Sequence, residues 1–511
     1  MKRIAFIIAS IVLIGCKENT SKTEFLGLVN LEVTGNSKAV SQFERGLLLL
    51  HSFEYQDARE AFRNAQESDP QMPMAYWGEA MTYNHSLWHE QDYEDGLEVL
   101  KKLEAIDLEK NATELERDFI SAVRILFKPE TEKSERDVAY SGFMEGLSKK
   151  YPDNHEVAAF YALSLLGSVP DGRDDELYGK GAKIALGILA ENPEHPGALH
   201  YTIHSYDDPK HAALALEAAN AYSKVAPDAS HALHMPSHIY VAMGMWDRVV
   251  DSNIDSYQAS LNRMERKELG NDDRGYHAFH WLEYGYLQQD NREEARKMVW
   301  DMQRYMNETP SPRARVHMVF LKGTYLTETD EWESDIADIP VEISDLNISV
   351  RSQYNFLEGM KGYTAKDTVE MDRIIAVMQA DIDRETYVQE FSSASLCSNV
   401  TRAEATPSDI VTSKARQQQL IALREDLAGR HDAAEEHLQK SIELQESVSY
   451  SYGPPSIQKP TRELYADWLA GMGRYKEAEA QYTLAEKAGP KRRLITEGIE
   501  NVSERLNDER S

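Results

Sequence analysis

PGALHYTIHSYDDPKHAALALEAANAYSKVAP, residues 196–227, is followed after two residues by SHALHMPSHIY, residues 230–240. The two stretches repeat each other at a fixed distance. Pro193 and Pro227 are 34 residues apart, as are His200 and His234, and His204 and His238. Such a period marks a structural unit that is stacked along the chain. Apolar residues recur at helical spacing within each unit, proline closes it, and no sustained period-two alternation is present. The expected fold class is therefore all-α, without strands.

Related units lie on both sides. Near the C-terminus Gly473, Tyr475, Ala478, Tyr482, Ala485 and Pro490 fall in one pattern, and Gly429, Ala434, Leu438 and Ser441 precede them in the same phase. Near the N-terminus Gly46, Ala58, Phe62, Ala65 and Pro70 match again. Asp290, Asn291 and Glu294-Ala295 set a unit starting at Tyr276, and Gly323 and Trp332 set another near Val316. These residues carry a resemblance to the tetratricopeptide repeat (TPR) family. The resemblance implies helical hairpins stacked into a superhelix, with the first helix of each hairpin on the concave face, where ligands of such arrays bind. Residues 101–150 and 341–395 read as helical without the consensus positions. Arg263–Arg274 reads as a polar connection, Ser392–Ser413 as a linker, and Tyr452-Gly453-Pro454-Pro455 as a loop.

Counting from each unit's first residue gives the histidines a register. His200 and His204 take places five and nine of the unit at Pro196. His231, His234 and His238 take places two, five and nine of the unit at Ser230. His277 and His280 take places two and five of the unit at Tyr276, with Tyr284 ninth, and His317 is second in the unit at Val316. Of the ten histidines from His195 to His317, only His195 and His211 fall outside these phases. Places two, five and nine share a helix face. The packing residues Leu199, Tyr206, Leu233 and Tyr240 sit on a stripe about 100° away. The histidines are thus expected outside the inter-helix core and on the concave face. Tyr76, Trp77, His85 and His89 lie on or just after another first helix, with Trp88 beside them, and extend the same candidate groove.

A histidine pair at i, i+4 can chelate a divalent metal, and a second pair on the next helix can complete an N-donor site for zinc, copper or nickel. His200, His204, His234 and His238 are the candidate ligands, with Asp207 and Glu283 as candidate acceptors behind them. The first functional expectation is a concave, histidine-rich groove that binds a protein, peptide or small ligand. The alternative is a metal-binding protein or metalloenzyme built on the same histidines. A third reading is a SusD-like glycan-binding lipoprotein, which requires exposed Trp77 and Trp88. No catalytic residue is assigned. There is no GxSxG elbow and no phosphate-binding glycine loop, and the acidic runs lack EF-hand spacing.

Composition bounds the rest. The chain has 511 residues, 56 basic against 86 acidic, a formal charge of −30 and two cysteines. That balance argues against nucleic acid as a partner, and two cysteines exclude a disulfide framework. A mean hydropathy of −0.56 excludes a polytopic membrane protein. Lys2 and Arg3, the apolar run Ile4–Ile14 and the ending Leu13-Ile14-Gly15-Cys16 resemble a bacterial lipoprotein signal. This resemblance implies a cleaved leader over residues 1–16, acylation of Cys16, a tether over 17–38 and a place in the bacterial cell envelope, at the outer membrane. Loss of Lys2 and Arg3 leaves 54 basic residues and a charge of −32. The array is expected over residues 39–391, the linker over 392–413 and a C-terminal TPR pair over 414–511. Cys397 has no partner cysteine in the mature chain.

Overall fold

The computed structural model describes residues 25–391, 405–450 and 453–508. Cys16, Cys397 and the leader lie outside them. The protein is all-α, built of antiparallel helical hairpins stacked into a superhelix. Ser37–His51 pairs with Tyr55–Ser68, and His155–Gly167 with Asp175–Glu191. Pro196–Ser205 pairs with Leu216–Val225, and Ser230–His234 and Pro236–Ala242 pair together with Trp246–Lys267. Tyr276–Gln288 pairs with Arg292–Glu308, Ile348–Thr364 with Thr368–Phe391, Pro407–Leu427 with His431–Glu446, and Thr461–Gly471 with Tyr475–Ala488. Among the described residues the one sheet is a two-residue ladder, Asn84–His85 against Glu90–Gln91. It corrects the expectation of no strands.

The local causes are ordinary. Asn36, Thr113, Asn154 and Asp174 accept hydrogen bonds from first-turn N–H groups and start their helices. Pro196, Pro312 and Pro407 stand in first turns, where no N–H is needed. Small residues let helices close on one another. A Cβ on Gly78 would come within 2.3 Å of the buried Phe62 ring. The core runs in two large blocks, one mostly from Leu26 to Val249 and the other from Val250 to Leu506, with smaller clusters around Phe53 and Ile348.

Several boundaries move. Residues 25–36 of the expected tether pack on the array: Leu26 is buried, Leu28 donates to the Glu194 carbonyl, and Thr34 bonds Glu116. Arg263–Lys267 continue the helix from Trp246 because Arg263 and Lys267 reach Asp57 on the first hairpin. A helix starts at Pro407, inside the stretch read as linker, because Thr406 and Asp409 form a reciprocal cap. The C-terminal hairpins lean back on the middle of the chain. Gln458 donates to the Phe320 carbonyl, Trp246 to the Lys491 carbonyl, and Arg492 lies between Glu328 and Glu463.

Candidate functional site

The histidine register converges, but not on one point. The candidate set His200, His204, His234 and His238 divides between two trios. His200, His204 and His231 bring ring nitrogens within 4.8 Å of one another, and so do His234, His238 and His277. Each trio follows one rule. It takes places five and nine of one unit and place two of the next. The offset between stacked first helices brings place two beside the preceding pair. The third instance of the rule would be His280, Tyr284 and His317, and it does not close. His280 bonds Thr324 at 2.9 Å, His317 Nδ1 donates to the Arg313 carbonyl at 2.8 Å, and Tyr284 bonds Arg492 at 3.1 Å. Tyr284 also lines a separate cavity of about 320 Å³, with Trp246, Ile442 and Arg462.

The second trio is the better defined. The helix expected from Ser230 is interrupted at Pro236, which has no N–H to continue the ladder. His234 and His238 flank the break. Asn253 donates its amide to the Val249 carbonyl, so its Oδ1 accepts from His234 Nδ1–H at 2.7 Å. His238 Nδ1–H donates to the Asp207 carboxylate. In its neutral form each imidazole then carries a lone pair on Nε2, and these two atoms face each other at 3.1 Å. Two imidazole nitrogens on one zinc or copper ion stand about 3.3 Å apart at bond lengths of about 2.0–2.1 Å. Burial, followed by the neighbouring His238, pushes His234 down to about 3. The Trp281 ring packs on His234 and His238 at centroid distances of 4.7 and 4.4 Å. His277 is exposed to water and leaves the trio open on one side.

The first trio has the same plan. His200 Nδ1–H donates to the His51 carbonyl at 2.7 Å, and its Nε2 meets His231 Nε2 at 3.2 Å. His204 Nε2 is buried without a hydrogen-bond partner among the described residues. Burial first, and neighbouring imidazoles second, hold His200 and His204 well below the usual histidine range. Phe53, on a turn with φ of 54°, packs against His200 with ring centroids 4.2 Å apart and planes tilted by 57°.

A third cluster, His51, Glu156 and His195, needs no cation. Ala198 N–H donates to His195 Nδ1, so His195 donates from Nε2 to Glu156 at 3.1 Å. His51 donates from Nε2 to the other carboxylate oxygen at 2.7 Å and accepts from Tyr201 at 2.8 Å. Burial opposes the charge on Glu156, but the two imidazoles outweigh it and hold the carboxyl well below its usual range. Through its carbonyl His51 orients His200.

Other expectations are corrected. The four central histidines are not at an open groove surface: His200, His204, His234 and His238 are 0, 7, 2 and 5% exposed. Trp77, 1% exposed, is core, packed on Phe119 and Phe160, because its helix is covered on both sides. The exposed aromatic platform of the glycan reading is therefore missing at Trp77, while Trp88 is half-buried against Phe53 and Tyr55. Tyr76 is half-buried and bonds the Pro70 carbonyl. His85 and His89 do not share a helix face, since the chain turns back at His89, with φ of 52°, to form the short ladder. His85 stacks on Tyr55 at 4.1 Å. Asp207 serves as an acceptor behind the site, whereas both carboxyl oxygens of Glu283 lack a hydrogen-bond partner among the described residues. Burial, then Glu328, pushes Glu283 well above the usual carboxyl range.

Phe53, Trp281, His51 and Glu156 are site residues that sequence reading missed. Trp281 lies four residues after His277 on the same face and was legible from that spacing. Phe53, His51 and Glu156 reach the site from remote hairpins and carried no such signal.

Neither a family model nor a curated protein sequence matches the chain. Among solved structures it is similar to a human IFIT1 dimer with PPP-AAAA, at 13% identity over 80% of this chain and 73% of that one, with a TM-score of 0.32. It is similar to the P58(IPK) TPR domain at 15% identity, 93% and 99% coverage and a TM-score of 0.21. It is similar to yeast Tom70 at 11% identity, 92% and 96% coverage and a TM-score of 0.32. The architecture itself is read from the helical hairpins: the chain is an all-α, TPR-like helical repeat protein.

Proposed function

We propose that this helical repeat scaffold binds a transition-metal cation at His234, His238 and His277. The observation that carries the reading is the pair of Nε2 lone pairs facing each other at 3.1 Å, with both Nδ1 atoms already committed as donors. With no proton on either Nε2 that contact is repulsive, and a cation between the two makes it favourable. Carboxylate and amide acceptors behind the ligands are the usual means of fixing such imidazoles. A peptide groove would need these side chains at the surface, so the metal is the ligand the geometry favours. The net charge of −30 favours cations near the site.

The test is metal analysis of the purified protein after loading with zinc, copper or nickel. At least one tightly held ion, lost in His234→Ala/His238→Ala, is expected. A wild-type protein that binds none of the three above buffer background would refute the reading.

We also propose that the chain is held at the bacterial envelope by a lipid on Cys16. The support is the residue pattern of positions 1–16. No helix among the described residues is long and apolar enough to cross a membrane.

A further inference from the structure

The two trios are built alike and touch. His204 of the first and His238 of the second have ring centroids 5.7 Å apart, and His231 and His234 are 6.1 Å apart. The contact arises from the repeat: His231 and His234 sit on one helix, one turn apart, and belong to different trios. Six imidazoles from three successive hairpins therefore form one continuous cluster. Among the described residues no carboxylate joins either trio. Asp207 is turned to the Nδ1 side of His238, behind the ligand.

The donor set narrows the metal. Calcium and magnesium require oxygen ligands. Zinc accepts three histidines with a water in the fourth position, so the trios admit it. Three neutral imidazoles with no anionic ligand suit copper, which heads the affinity order for such nitrogen sites. Phe53 caps the first trio and Trp281 the second, so each nitrogen set is walled by an aromatic ring. His204 Nε2, buried and without a hydrogen-bond partner among the described residues, is left for an ion in the first trio.

We propose that the two trios form a paired centre holding two copper ions, one on His200, His204 and His231 and one on His234, His238 and His277. This rests on the metal-binding reading above and extends it in number, identity and proximity of the ions.

The test loads the full chain with Cu(II) and reads stoichiometry by native mass spectrometry and proximity by electron paramagnetic resonance. Two coppers per chain are expected, with a half-field transition from two neighbouring spins. His200→Ala/His204→Ala and His234→Ala/His238→Ala should each hold one copper and lose the half-field transition, while His280→Ala keeps both ions and the transition. One copper per chain in the wild type, or two without a half-field transition, overturns the pairing and leaves the single-site reading standing. No bound metal overturns both. The wild-type stoichiometry and spectrum decide the matter even if a double variant fails to fold. A two-ion site that takes zinc and rejects copper in competition overturns the metal assignment.

Discussion

His234 and His238 turn their Nε2 atoms toward each other at 3.1 Å across the helix break at Pro236. Each is fixed from behind, one by Asn253 and the other by Asp207. The outer acceptors decide which nitrogen carries the proton, and so which nitrogen is free to ligate.

Asp207→Asn is predicted to weaken metal binding about 10- to 100-fold, the usual cost of losing an outer carboxylate. The fold should persist. A competition titration with a chromophoric chelator measures it; an unchanged affinity would remove Asp207 from the site.

Phe53→Ala should cost about 3–4 kcal/mol, as for other buried phenylalanines. Phe53 is 8% exposed and contacts the rings of Tyr55, Trp88, His200 and His231. Urea unfolding measures the loss. A loss below about 1 kcal/mol would mean that the hairpin does not hold the first trio closed.

Glu463→Gln should destabilise the protein by about 3 kcal/mol at neutral pH, since it breaks a buried ion network. Burial alone would raise the Glu463 carboxyl, but Arg492 and Lys459 outweigh it and bring it from 4.5 down to about 2. A depressed carboxyl stabilises fully above 4.5 and loses that contribution as pH falls through 2. The gap between wild type and variant should therefore shrink between those values. Denaturant midpoints at stepped pH check this, and a constant gap would contradict it.

Gly453→Ala should lower the melting temperature and alter Trp281 fluorescence. Gly453 has φ of +83°, and an added Cβ would come within 2.1 Å of the Trp281 ring. Left-handed backbone alone costs a non-glycine residue about 1–2 kcal/mol. Unchanged fluorescence would show that the loop yields instead of the ring.

Cys16→Ser is expected to release the protein from the membrane fraction of a bacterial host and to remove a lipid-sized increment from its mass. Membrane retention of the variant, with the same mass as the wild-type mature chain, would rule out the anchor.

Much of the hairpin array was legible because its causes are local. Proline at position 196, and the periodic placement of Ala58, Phe62 and Ala65, set a helix start and packing faces from short stretches of chain. Boundaries failed where distant contacts set them. Arg263 and Lys267 stay helical because Asp57, about 200 residues earlier, lies opposite them. Trp77 read as a groove residue because its burial depends on Phe119 and Phe160 from other hairpins.

The sequence by itself determined that histidines recur at places two, five and nine on one face of successive first helices. Period and helical pitch are properties of the chain alone. Only the tertiary structure decided how they group. The stagger between stacked hairpins joins places five and nine to place two of the next unit, so four expected ligands became two trios of three. Burial was decided there as well: the backs of the rings meet Asp207, Asn253 and the His51 carbonyl, and Phe53 and Trp281 close over their faces. Those partners come from turns and helices whose approach depends on packing over the whole array, which no local pattern encodes.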